Sequence, residues 1–237
     1  TFIPLDSEHF SLFNLNPTDS QIKKISITAS GGPFYFNKNI NLNSVSFSNV
    51  LSHPKWSMGN NNLIDSSNFI NKILEIFELS YIYNINLNKI DFVVSPEAFI
   101  HSIVHFNDNT ISFNCFNNDM LITLIKPLSF FYKFNYKNKS KLFYNHNSYY
   151  FENFSDSRFE IVKKLKKILN FSHYEVIQFM LLNNIAQKKY LSGKIEYLDI
   201  VPFILKRIEF RSKKYKLSNL NVIEKTLKKL TNKYEQF

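Results

Sequence analysis

Glycine is nearly missing from this chain: four in 237 residues, beside one tryptophan, one cysteine and three methionines. The single cysteine, Cys115, excludes an internal disulfide framework and a cysteine-based zinc site, and is compatible with a reducing cytoplasm. No run of about 18 apolar residues occurs, so no membrane-crossing helix is expected. No secretory leader is visible either. The chain opens at Thr1 rather than Met, and we read it as a fragment whose N-terminal part is missing.

Phenylalanine (25) and tyrosine (13) supply nearly all of the aromatic content. With abundant Ile, Asn and Lys, they suggest AT-biased coding, so a residue that resists the drift carries more information than one that follows it. The hydrophobic share of 44% is enough for a sizeable core and argues against disorder. The net charge of +10 is unevenly placed. From Arg158 onward there are 18 Lys and Arg against 7 Asp and Glu; the first 157 residues hold 11 against 12. A basic last third can serve nucleic acid or an anionic surface, or can be a solvated lysine-rich helical face.

Residues 22 to 29 read as a strand entering the turn Ser30-Gly31-Gly32-Pro33. Residues 40 to 62 read as loop with at most one helical turn. Phe69, Ile70, Ile73, Leu74 and Phe77 follow the 3.6-residue period, so a helix is expected to start at Asp65 or Ser66. Strands are expected over 89 to 94, 99 to 106 and 110 to 116. Residues 126 to 157 have no clear period and read as a connecting segment. From residue 158 the pattern is helical: a stripe through Ile168, a helix capped by Ser172 and running to Leu191 before Gly193, and two more over 196 to 211 and 218 to 234. The expected fold class is α/β (α+β) over residues 1 to 125, then the connecting segment 126 to 157, then an all-α C-terminal helical bundle over 158 to 237.

Four groups of residues stand out. In Asp6-Ser7-Glu8-His9 the carboxylates are two apart and would share one side of an extended segment, a start for a Mg²⁺ or Mn²⁺ site. Ser30-Gly31-Gly32 can present N–H groups and a hydroxyl to an anion, or form a plain turn. On the helix from Ser66, Asn71 and Glu75 share a face and Lys72 lies three residues before Glu75, next to a helix start that favours phosphate. His53-Pro54-Lys55-Trp56-Ser57-Met58-Gly59 holds the one tryptophan, in a loop, as a lid or as a loop anchor. His101 and His105 fall on a strand and read as structural. Cys115 reads as a buried thiol.

In this order these segments resemble the 1-deoxy-D-xylulose 5-phosphate reductoisomerase family. The matching stretches are residues 4 to 9, 27 to 34, 53 to 59 and 64 to 75, with weaker echoes at 100 to 102, 119 to 120, 151 to 159 and 191 to 200. The resemblance implies a central catalytic α/β domain and a helical bundle, with the family's N-terminal nucleotide domain absent, and an NADPH- and metal-dependent isomerisation and reduction of a keto-sugar phosphate. It implies that Asp6, Glu8 and Glu75 bind manganese or magnesium. Ser7, Ser30, His53, Ser66, Asn71 and Lys72 would bind substrate, Trp56 and Met58 would form a lid, and Gly59 would approach NADPH. It further implies a homodimer; a cytoplasmic setting with no membrane or nucleic-acid partner is expected, and the competing reading is a basic, nonenzymatic nucleic-acid-binding module. The sequence departs from the family at Ile73, where the family has Gly, and at Ser95 and Leu121.

Overall fold

Four helices and four strands carry most of the first half of the chain. The computed structural model describes residues 2–17, 21–53, 58–133, 148–210 and 219–234. The chain divides into two units. The first comprises residues 1–32, 53–57 and 69–155; the second comprises 33–52, 58–68 and 156–237.

The first unit is built on a mixed five-stranded sheet of order β4-β3-β1-β2-β5. Its strands are β1 (Ile22–Ala29), β2 (Ile90–Val94), β3 (Ile100–Phe106), β4 (Ile111–Cys115) and β5 (Glu152–Asn153). Only β1 and β2 run parallel, with Ile25 facing Ile90 and Ala29 facing Val94. β1 is central, and from Ile25 to Ala29 every residue is buried, as a strand covered on both faces requires. Polar side chains on it are satisfied locally: Ser26 donates to Asp91 at 2.7 Å and Thr28 to the Ile100 carbonyl at 2.6 Å. The four strands expected from the sequence are present as β1 to β4; β5 lies in the stretch expected to be connecting. Helix α5 (Met120–Ser129), capped by the Asp119 side chain, also enters that stretch. Cys115 is half-buried on the edge strand β4 rather than buried.

Helix α1 (Ser7–Leu15) packs on β3 and β4, and α4 (Ile70–Tyr83) packs on β1 and β2. Ile70, Ile73, Ile76 and Leu79 of α4 are fully buried, so the helix accepts Ile73 at the position where the family has glycine. The expected helix from Asp65 or Ser66 is interrupted. Asn60–Ser67 form α3, and α4 begins only after Phe69, whose φ of 66° is left-handed. A bulky residue there costs roughly 1–2 kcal/mol. Its buried ring offsets this against Phe154 and Phe92, at centroid distances of 4.2 and 5.9 Å.

The second unit is helical apart from its loops: α2 (Phe47–Val50), α3, α6 (Glu160–Ile168), α7 (His173–Leu191), α8 (Ile200–Arg207) and α9 (Leu220–Tyr234). α7 is the hub, packed by α8 and α9. It starts in a capping box between Ser172 and Glu175 and stops at Gly193, whose φ is +69°. The helix expected over 196 to 211 is shorter, because Ile208 returns to extended backbone. The fully buried Gln178 pairs with the Glu209 backbone through both ends of its amide and accepts from Tyr234 at 2.5 Å, fixing the last helix.

Arg158 staples the segment that follows Pro33. Its guanidinium donates to the carbonyls of Phe34, Tyr35 and Asn37 at 3.0, 3.2 and 2.9 Å, while Asp156 accepts from the same group and from Lys38. Arg158→Ala strands three carbonyl acceptors and leaves Asp156 with Lys38 and the backbone amide alone, and should lower unfolding stability by about 2–3 kcal/mol in urea denaturation. Arg158→Lys should recover less than half of it, because an ammonium lacks the planar fork.

Candidate metal centre

Asp6, Glu8 and Glu75 each bring a carboxylate oxygen within 4.8 Å of the others. Two ligands on one Mg²⁺ or Mn²⁺, each about 2.0–2.2 Å from it, are about 4 Å apart or less, so modest side-chain adjustment suits this hard-oxygen set to such an ion. The route to that geometry differs from the expected extended segment. Asp6 is the N-cap of α1, with φ −60° and ψ 139°, and accepts from the Glu8 amide at 3.2 Å. Glu8 lies in the first helical turn and is buried. The two acids therefore converge across a helix start, not along one side of a strand. Glu75 is buried in α4.

The residues around the carboxylates form one hydrogen-bonded chain. Ser7 donates to one oxygen of Glu8 and Lys72 donates to the other. Lys72 also donates to Glu75 Oε2 at 2.7 Å, and Asn71 donates to Glu75 Oε1. Asn71 and Lys72 sit in the first turn of α4, to which Phe69 contributes no side-chain cap.

Electrostatics separate the three acids. Burial, then the charge of Glu8, raises Asp6 to about 6. Burial also raises Glu75 well above the carboxylate range, with Glu8 adding to it. Burial pushes Glu8 up too, but the charges of Lys72 and His101 and the bonds from Lys72 and Ser7 outweigh it and hold Glu8 at about 2. Lys72 is held above its ordinary value despite burial by Glu75, Glu8 and Asp6. Three carboxylates facing one ammonium carry excess negative charge, which a divalent cation would neutralise.

Ser30 and His53 meet at 3.3 Å, Oγ to Nε2. Gly31 and Gly32 have φ of 93° and 59°, so the Ser30-Gly31-Gly32 turn uses both glycines for backbone freedom. Burial and then the Lys72 charge lower His53 to about 4, so its ring is neutral at physiological pH. Ser66, Met58 and Gly59 lie in the second unit, Ser66 in the last turn of α3 rather than at a helix start. Gly59 has φ −65° and open space where a Cβ would stand, so the chain itself does not demand glycine there. Trp56 lies outside the described residues.

His9 received no role from the sequence, yet it joins the two helices that carry the acids. Its Nε2 donates to the Glu75 carbonyl at 2.9 Å, and its Nδ1 is 3.7 Å from both Asp6 and Glu78. Its place directly after Glu8 was the available signal. His101 is buried on β3, stacked on Phe116 and bonded to the Phe116 carbonyl at 3.1 Å, in keeping with a structural role.

Residues 2–83 match the family model of the 1-deoxy-D-xylulose 5-phosphate reductoisomerase C-terminal domain. A 1-deoxy-D-xylulose 5-phosphate reductoisomerase of Pelagibacter ubique is 33% identical over 211 residues, covering 86% of this chain and 53% of the relative. That of Anaplasma phagocytophilum is 32% identical over 205 residues, with the same two shares. The chain thus spans about half the length of these curated relatives. Among solved structures, the fold matches a DOX-P reductoisomerase in complex with NADPH, fosmidomycin and magnesium, with a TM-score of 0.84 and 23% identity over 100% of this chain and 63% of that one. It also matches the Zymomonas mobilis enzyme in complex with NADPH, with a TM-score of 0.77 and 25% identity over 100% of this chain and 62% of that one. The resemblance read from the motifs is borne out, and so is the expected combination of an α/β part with a helical part, without regard to its expected boundaries. Nothing in the comparisons supports the nucleic-acid-binding alternative. No helix among the described residues is long and apolar enough to cross a membrane.

Proposed function

We propose that this chain is the metal- and substrate-binding part of a 1-deoxy-D-xylulose 5-phosphate reductoisomerase, which isomerises its keto-sugar phosphate and reduces the product with NADPH to 2-C-methyl-D-erythritol 4-phosphate. The observation that carries the reading is the convergence of Asp6, Glu8 and Glu75 within 4.8 Å, bonded directly to Ser7, Asn71 and Lys72.

Asp6, Glu8 and Glu75 would hold Mg²⁺ or Mn²⁺. Bound there, the ion supplies a Lewis acid for the substrate's carbonyl and hydroxyl oxygens. Ser7 would orient the same oxygens. Asn71, Lys72, Ser30 and His53 would grip the phosphate. Lys72 brings the positive charge, while the neutral His53 contributes only a hydrogen bond. Contacts to a phosphate remote from the reacting carbons supply binding energy for orientation. The roles of Ser66 in phosphate binding, of Trp56 and Met58 in a lid that excludes water, and of Gly59 beside NADPH rest on the resemblance alone. So does the homodimer, while the cytoplasmic setting rests on the lone cysteine.

The test is turnover by the full-length protein. With 1-deoxy-D-xylulose 5-phosphate, NADPH and Mg²⁺ it should consume NADPH and form 2-C-methyl-D-erythritol 4-phosphate. EDTA should reduce the rate at least about 100-fold and added Mn²⁺ should restore it, as expected where a metal activates substrate oxygens. No turnover by folded protein, or a rate indifferent to chelation, refutes the reading.

A further inference from the structure

Every carboxylate oxygen of Glu8 and Glu75 has a donor in this structure, and the donors are three of the groups assigned to the substrate. Ser7 and Lys72 take the two oxygens of Glu8; Asn71 and Lys72 take the two of Glu75. Lys72 is the one charged donor among these and bridges both acids, with its side chain only 12% exposed. A divalent ion needs an oxygen from each of the same two acids. Its binding is opposed while the ammonium keeps both, because the two cations would then share ligands in a buried, low-dielectric setting where like charges repel strongly.

We propose that Lys72 is an exchangeable counter-ion: a divalent cation entering at Asp6, Glu8 and Glu75 displaces its ammonium, and the released ammonium is what binds the substrate's phosphate. The inference rests on the site assignment made above and adds an order to it. Metal and phosphate bind with positive coupling, because the first removes the partners that hold Lys72 away from the second. The coupling is reciprocal, so phosphate also tightens the metal. Asn71 contributes in the same sense, since it shares Glu75 and starts the same helical turn, but carries no charge. His9 lies against Asp6, Glu78 and the Glu75 backbone, and His101 acts on Glu8 while bonded to the Phe116 carbonyl.

The experiment uses the full-length protein, Mn²⁺ binding followed by electron paramagnetic resonance, and inorganic phosphate as the anion. In the wild type, saturating Mn²⁺ should tighten phosphate at least about fivefold, within the range of ordinary site-to-site coupling. Lys72→Met removes the internal competitor and should bind Mn²⁺ at least about tenfold more tightly, the direction expected when a competing cation is lost. In the same variant the effect of Mn²⁺ on phosphate should shrink below about twofold. Lys72→Arg, which keeps the charge, should bind Mn²⁺ within about threefold of wild type. Coupling that survives in Lys72→Met means that phosphate touches the ion directly, and overturns the exchange. Mn²⁺ affinity unchanged or weaker in Lys72→Met overturns it as well. If Glu75→Gln leaves Mn²⁺ binding intact, the site assignment itself fails and the exchange falls with it. Loss of Mn²⁺ binding in Glu75→Gln with no gain in Lys72→Met refutes the exchange alone.

Discussion

Glu75→Gln should lower Mn²⁺ affinity by at least about 100-fold and turnover of the full-length protein by about 10³-fold or more, as loss of a metal ligand or an electrostatic group in a buried site typically does. The substitution is nearly isosteric, so the packing of α4 is kept. It removes one of three anionic donors, and its amide nitrogen must face either Asn71 or Lys72, both of which are donors toward Glu75. The site thus loses charge and gains a donor-to-donor conflict. Glu78→Gln, one helical turn on and half exposed, is the matched control and should change either quantity by less than about threefold, as a surface charge does. A Glu75→Gln protein that binds Mn²⁺ as the wild type does, with a native circular-dichroism spectrum, would refute the ligand assignment.

The four strands β1 to β4 were legible because β-branched runs between turn residues admit few other structures. Helix α1 was not. Ser7–Leu15 mixes Ser, Glu, His, Phe and Asn without a clean apolar stripe, and its buried positions include Ser7, Glu8, His9 and Ser11. Burial of polar residues is what a site requires, and it erases the periodicity that announces a helix. The break at Phe69 was hidden for a different reason. A left-handed turn normally reveals itself by Gly or Asn, and here an aromatic residue holds it through tertiary contacts with Phe92 and Phe154. The metal-site residues were legible as motifs in order, and their meeting at one ion only through the resemblance: Glu75 approaches Glu8 because α1 packs on α4, a contact between elements distant in the chain. His9 shows the limit, since a residue whose work is to bond a backbone carbonyl leaves no pattern in the sequence.

Asp65→Asn should stabilise the protein at pH 8 and do little at pH 4. Asp65 is 4% exposed in α3, with Oδ2 accepting from Asn183 at 2.8 Å; Asp65 Oδ1 and Asn183 Oδ1 are both buried without a partner among the described residues. Burial raises the carboxyl from 3.8 to about 6, against the opposing bonds from Gln187 and Asn183. A raised folded-state value means that the native protein binds the proton more tightly than the unfolded chain. Below pH 3.8 both states are protonated and nothing is lost. As pH climbs through 6 the native state must ionise a buried group, and stability falls by an amount on the order of 3 kcal/mol. Asparagine has the same shape, never ionises, and offers an N–H₂ donor where two acceptors now lack one. We expect Asp65→Asn to gain about 2–3 kcal/mol at pH 8 and less than about 1 kcal/mol at pH 4. Urea denaturation of both proteins at the two pH values measures the difference directly. A variant less stable than wild type at pH 8, or a gain equal at both pH values, means that the Asp65 carboxylate is satisfied by a partner and is not a buried charge held against its solvation.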